Sequence, residues 1–164
     1  MSDDQIKDIL KNSKTIAMIG VSSEKKGEDP KNLKRKPANV VMKYMQDFGY
    51  KVIPVNPFAE GEIINGEKVV GSLEKISEPI DIVDIFRPSK ETPGIANEAV
   101  KIGSKVLWLQ YGIQNEEAEK IAENSKIQYV SNKCIKQEYQ RLFQKTPPYT
   151  KNNPRQNMLF LNLG

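Results

Sequence analysis

Three short stretches hold the residue types that can meet a phosphorylated ligand. Gly20-Val21-Ser22-Ser23 follows an apolar run and offers small, donor-rich backbone of the kind that lies against a diphosphate. Phe86-Arg87-Pro88 pairs an aromatic face, which can pack on a purine, with a guanidinium that can meet a phosphate. The bland alternative is that Phe86 is core and Arg87 a surface cation. Between them lies a basic run, residues 22–36, with Lys25, Lys26, Lys31, Lys34, Arg35 and Lys36. It reads either as a solvated loop or as a flap over phosphates.

What the residues exclude is as informative. The chain has no histidine. Ser-His-Asp and Cys-His catalysis, phosphohistidine chemistry and the common zinc sets are therefore closed to it. Asp81 and Asp84 stand three positions apart on a predicted strand, so they face opposite ways and form no paired-carboxylate site. A nicotinamide fingerprint fails at both halves. Ser22 and Lys25 occupy the places of its second and third glycines, and the second strand ends at Asn56-Pro57 with no acid for the ribose. No G-K-[ST] P-loop occurs. The single cysteine, Cys134, reads as a small buried apolar residue. The sharper reading is a thiol that forms a mixed disulfide, which requires exposure and a lowered pKa.

These stretches must be positioned by a scaffold, and its elements are legible. Ile6, Ile9 and Leu10 give Asp3–Asn12 a helical apolar face, capped by Ser2 or Asp3. Thr15–Val21 reads as a strand buried on both faces. Pro37 opens a helix with an apolar face of Val40, Val41, Tyr44, Met45 and Phe48, which Gly49 ends. Lys51–Pro57 is the second strand. Its Pro54 cannot donate to a ladder, so the strand belongs at an edge or carries a bulge. Asn65-Gly66 within Glu62–Val69 signals a surface hairpin, and Ser72 can cap a short helix through Ile76. Strands over Ile80–Pro88, Lys105–Gln110 and Ile127–Val130 alternate with helices over Thr92–Ile102, from Asn115, and over Lys136–Phe143. The expected fold is α/β: a Rossmann-like, doubly wound parallel sheet of about five strands in a three-layer α/β/α arrangement. Ligands in such sheets bind at the carboxyl edge, where the tips Gly20–Ser23, Val55–Pro57, Phe86–Pro88 and Leu109–Ile113 collect.

At 164 residues, one unit over 1–143 is expected, with 144–164 as a C-terminal extension. The extension ends in apolar Met158-Leu159-Phe160-Leu161, a candidate contact for a homodimer or a partner subunit. No apolar run is long enough to span a membrane. The polar N-terminus and the lone cysteine lead us to expect a cytoplasmic protein. A net charge of +4 suits an anionic small molecule and falls short of a nucleic-acid-binding surface.

Gly20-Val21-Ser22, Ile53–Pro57, Ile82–Pro88 and Trp108–Ile113 fall in the order and spacing of the stand-alone CoA-binding domain proteins, and Asn132–Lys136 matches that family's ending. The family in turn resembles the CoA-binding N-terminal domain of the succinyl-CoA synthetase α subunit. The resemblance covers about residues 5–143 and implies a Rossmann-like fold that binds coenzyme A or an acyl-CoA. It puts the diphosphate on Gly20, Val21, Ser22 and Ser23; by charge alone, Lys25, Lys26 and Arg87 are candidate phosphate partners. The adenosine would lie near Val55, Asn56, Pro57, Phe86, Arg87 and Pro88. Leu109, Gln110, Tyr111 and Gly112 would line the route to the pantetheine. The 22–36 loop looks longer than is usual in the family. The ligase acts through a phosphohistidine in a second domain, and this chain has no histidine. A non-catalytic carrier, sensor or regulatory module is therefore the expectation. The competitors are an NAD(P)-dependent oxidoreductase or other nucleotide enzyme on the same fold, and a CoA-binding subunit of a larger acyl-CoA enzyme.

Overall fold

The computed structural model describes residues 1–24 and 36–143. Lys26 and most of the basic loop lie outside the described residues, as do the 144–164 extension and its Met158–Leu161 cluster.

Helix α1 spans Asp3–Asn12 and starts in a reciprocal cap. The Ser2 side chain accepts from the Gln5 N–H, and the Gln5 side chain accepts from the Ser2 N–H. Strand β1 (Thr15–Ile19) leads toward α2 (Pro37–Asp47), which opens on the expected proline. Gly49 follows the helix at φ +96°, a left-handed helix stop. Then come β2 (Lys51–Val55), the hairpin pair β3 (Ile63–Ile64) and β4 (Glu67–Lys68), β5 (Ile82–Ile85), α3 (Thr92–Lys101), β6 (Val106–Leu109), α4 (Glu116–Asn124), β7 (Gln128–Val130) and α5 (Ile135–Phe143). The hairpin turn has Asn65 at φ +49° and Gly66 at +82°, the pair of left-handed residues that its Asn-Gly dipeptide predicts. A 3-10 turn over Leu73–Lys75 replaces the short helix expected after Ser72, and a second one over Ser89–Glu91 precedes α3.

The five long strands form a parallel sheet in the order β2-β1-β5-β6-β7. This is the predicted Rossmann-like α/β architecture. Strand β2 is at the edge, where Pro54 needs no ladder donor beyond it. Its carbonyl accepts instead from Val70 N–H at 3.0 Å. Alternate side chains feed two cores. Met18, Val52, Ile82 and Trp108 meet α1, α2 and α5, whereas Ala17, Ile53, Val83 and Leu107 meet α3 and α4. Asp81 and Asp84 do point apart. Asp81 accepts from the Lys14 and Thr15 N–H groups at 2.7 and 3.2 Å and lies 3.5 Å from Lys105. Asp84 is fully buried.

The strands end earlier than the sequence pattern suggests. β1 stops at Ile19 because Gly20 turns to φ +104°. β2 stops at Val55 because the Asn56 side chain turns back to accept from Phe58 N–H at 2.8 Å. The chain goes from central β1 outward to β2, then crosses to β5 on the other side. The strand order reverses between β1 and β5, and a crevice is expected above that junction.

Candidate functional site

The reversal brings Gly20 against Phe86. A Cβ on Gly20 would sit 2.5 Å from the Phe86 carbonyl oxygen, and its φ of +104° disfavours any side chain. The turn after it is braced from two sides. Asn39, on the first turn of α2, accepts from Ser22 N–H at 2.8 Å and donates to Ser22 O at 3.0 Å. Asn56, at the tip of β2, donates to Val21 O at 2.8 Å. Ser23 Oγ donates to Glu62 at 2.7 Å, and Lys36 Nζ donates to Ser23 O at 2.6 Å. Sequence reasoning missed Asn39. Its only signal is a polar residue among the apolar positions of α2, where it is buried.

Two clefts open above this junction, one over each face of the sheet. The larger, about 780 Å³, lies between the tips of β1, β5 and β6 and helices α2 and α5. Its walls are largely apolar, with Ala38 and Val41 from α2 and Phe86 from the β5 tip. Gln110, Tyr111, Cys134 and Gln137 supply its polar atoms away from the junction. The smaller, about 360 Å³, lies between the β2 tip and α3. It holds Val55, Asn56 and Pro57 together with Phe58, Ser72, Ile95 and Glu98. Gly20, Ser22 and Arg87 belong to both clefts and form the seam between them.

Most of the predicted site residues therefore meet around one seam. Others are placed differently. Val21 and Leu109 were expected at the ligand, but their side chains are buried in the two opposite cores and line neither cleft. Strand alternation and the Gly20 turn send them inward. Ser23 and Gly112 line neither cleft. The Gly112 N–H donates to Asn132 at 2.7 Å, and Ser23 is tied to Glu62. Phe86 is half-buried, packed on the core and also facing the larger cleft.

Arg87 has a resident partner. Its Nε and Nη2 each donate to Glu91 at 2.9 Å, one turn along the chain. The pair holds the Glu91 carboxyl below the usual glutamate range and raises the Arg87 pKa, in both cases chiefly through this hydrogen bonding. Both groups are largely solvated, so the pairing is weak and an incoming phosphate can compete for Arg87. Cys134 is half-buried in the wall of the larger cleft, not sealed in the core.

The CoA binding domain family profile matches residues 14–140. The chain belongs to that family. It is 39% identical over 132 residues to the uncharacterized protein YneT of Bacillus subtilis, covering 80% of this chain and 90% of that protein. Among solved structures, a Thermus thermophilus protein designated cell-free ID.343 superposes with a TM-score of 0.76 at 36% identity, covering 87% of this chain and all of that one. A hypothetical protein from Pyrococcus horikoshii gives 0.75 at 37% identity, covering 87% and 92%. The seam carries the Arg87 cation and lies near the N-terminus of α2, and apolar side chains line part of each cleft.

Proposed function

We propose that this protein binds coenzyme A or a small acyl-CoA as a non-catalytic carrier, sensor or regulatory module. One observation carries the reading: two clefts of unequal size share a single seam at the strand reversal. Coenzyme A has the matching form, with two dissimilar arms joined by a diphosphate. The diphosphate lies over Gly20 and Ser22, near the start of α2 and within reach of Arg87. The adenosine enters the smaller cleft. The pantetheine runs through the larger one, past Gln110 and Tyr111 toward Cys134. Helix α2 supports this orientation because its first turn carries no acidic residue to repel phosphate.

The absence of catalysis is supported by the composition of the larger cleft, where the thiol or acyl end would rest. Its only ionisable side chains among the described residues are Arg87, Tyr111 and Cys134. Among the described residues no carboxylate stands there to move a proton and no metal-ligating cluster occurs, and the chain has no histidine.

A thermal-shift panel of CoA, NAD, NADP, ATP and FAD tests the reading, followed by calorimetric titration of CoA. Ligand at a hundred times its Kd adds about 2.7 kcal/mol. For a chain of this size that raises Tm by roughly 5–10 °C. A rise with NAD or NADP and none with CoA refutes the proposal in favour of a nicotinamide enzyme.

A further inference from the structure

The smaller cleft has two features that phosphate binding and apolar packing leave unused. The first is Phe58, whose ring is 95% exposed at the cleft mouth. Its backbone is nevertheless fixed. Phe58 N–H donates to Asn56 Oδ1 at 2.8 Å, the next N–H donates to Asn56 O at 3.2 Å, and Ala59 is buried. A flat apolar face held at a cleft mouth by a rigid turn suits a stacking partner.

The second is Glu98 on α3. It is half-buried and lines the cleft, yet its carboxylate has no hydrogen bond or ion pair with any described residue. The other carboxylate here, Glu91, is occupied by Arg87. With Arg87 and Glu91 offsetting each other, Glu98 gives the cleft a net negative character. That disfavours a phosphate at this end and favours a hydrogen-bond donor. The donor carried by adenine is its exocyclic amine. A purine with a carbonyl at the same ring position would set oxygen against oxygen, leaving a partly buried acceptor unmatched.

We propose that Phe58 and Glu98 form a base-selective subsite for an amine-bearing purine, with Phe58 stacking on the ring and Glu98 accepting from the exocyclic amine. This rests on the coenzyme A reading above and adds to it the residues that choose the base. Arg87, at the seam, is left to the phosphates, since the acid end of the cleft repels them.

The test compares calorimetric titrations of the full chain with CoA, with the CoA analogue in which hypoxanthine replaces adenine, and with phosphopantetheine. A hydrogen bond to a charged, partly solvated group predicts that CoA binds about ten-fold tighter than the analogue. Glu98→Gln brings the two within about two-fold of each other, because its amide can turn to donate to the carbonyl. Phe58→Ala weakens both by about ten-fold, the usual effect of losing one stacking partner, and keeps their ratio. Neither variant changes the affinity for phosphopantetheine. Equal affinity of the wild type for CoA and the analogue overturns the proposal with no variant needed. So does a preference that survives Glu98→Gln. Failure of the broader reading looks different, since the wild type would then bind neither CoA nor phosphopantetheine.

Discussion

Asp84 gives the sharpest test of the electrostatics, because its buried carboxyl has no side-chain partner among the described residues. It lies in the middle of β5, opposite Met18 on β1 and Trp108 on β6, and is fully buried. Neither oxygen makes a well-formed hydrogen bond with a described residue. Loss of hydration holds its pKa well above the ordinary aspartate range, only partly offset by the Ile85 backbone. The sign follows from linkage. Below the unfolded-state pKa, near 4, both states carry the proton and Asp84 contributes no pH dependence. Above it the unfolded chain releases the proton while the native state keeps it. Stability then falls by about 1.4 kcal/mol per pH unit until the native pKa is reached.

Asp84→Asn removes this titration with little change in shape. The variant should match the wild type near pH 4 and gain on it by about 1.4 kcal/mol for each unit above that, about 2.8 kcal/mol over two units. Urea unfolding at half-unit steps from pH 4 to 7 measures it. The exposed carboxylates Asp3, Glu60 and Glu91 have lowered pKa values and titrate in both proteins, so they cancel in the difference. Parallel stability curves across this range would refute the reasoning, because they would mean that Asp84 is ionised in the native state.

Four other outcomes follow from the seam. Gly20→Ala combines a left-handed backbone with a 2.5 Å approach to Phe86 O and should cost about 2–5 kcal/mol in urea unfolding; a cost under 1 kcal/mol would mean that the turn relaxes freely. Arg87→Ala should weaken CoA by about ten-fold and flatten the salt dependence of binding, while Glu91→Gln, which frees Arg87, should tighten it a few-fold; the opposite order would remove Arg87 from the phosphates. Asn39→Ala strips the Ser22 backbone of both its side-chain bonds and should destabilise the fold by about 1–3 kcal/mol along with a loss of CoA affinity; retained affinity would put the diphosphate elsewhere. Saturating CoA should slow alkylation of Cys134 by iodoacetamide by about ten-fold or more, and an unchanged rate would place the pantetheine outside the larger cleft.

Local chemistry made most of the fold legible. The Ser2 cap, Pro37 at the start of α2, Asn65-Gly66 and the Asn115 cap, whose side chain accepts from Ala118 N–H, all act within a few residues. Pro54 restricted its strand to an edge or a bulge, and β2 stands at the edge. The site was legible as a set of tips but not as two clefts. That division depends on α2 and α3 packing on opposite faces, which no local signal encodes. Val21 and Leu109 show the limit of reading by position. Both stand at strand tips, yet the alternation of the pleat and the Gly20 turn bury their side chains. Glu98 was missed for the complementary reason. It reads as an ordinary polar position on α3 until the β2 tip is seen to pass in front of it. The Arg87–Glu91 pair has a four-residue spacing, but Arg87 stands at a strand tip, and it is the 3-10 turn over Ser89–Glu91 that brings the two together.

The same geometry changes what counts as a functional signature here. Gly20 looks like a phosphate glycine, but the fold needs it with no ligand bound, since a side chain there would strike the Phe86 backbone. Asn39 and Asn56 likewise spend their side chains on Ser22, Val21 and Phe58. These residues make the seam rigid, and a rigid seam lowers the ordering cost of seating a diphosphate. They cannot by themselves say which diphosphate. Selectivity must come from groups that the fold leaves exposed or unpaired, or that a ligand can take from a weak partner. Among the described residues on this edge, Phe58, Glu98 and Arg87 at the smaller cleft and Tyr111 at the larger are such groups, and under the proposed seating of the adenosine the first three would discriminate among nucleotides.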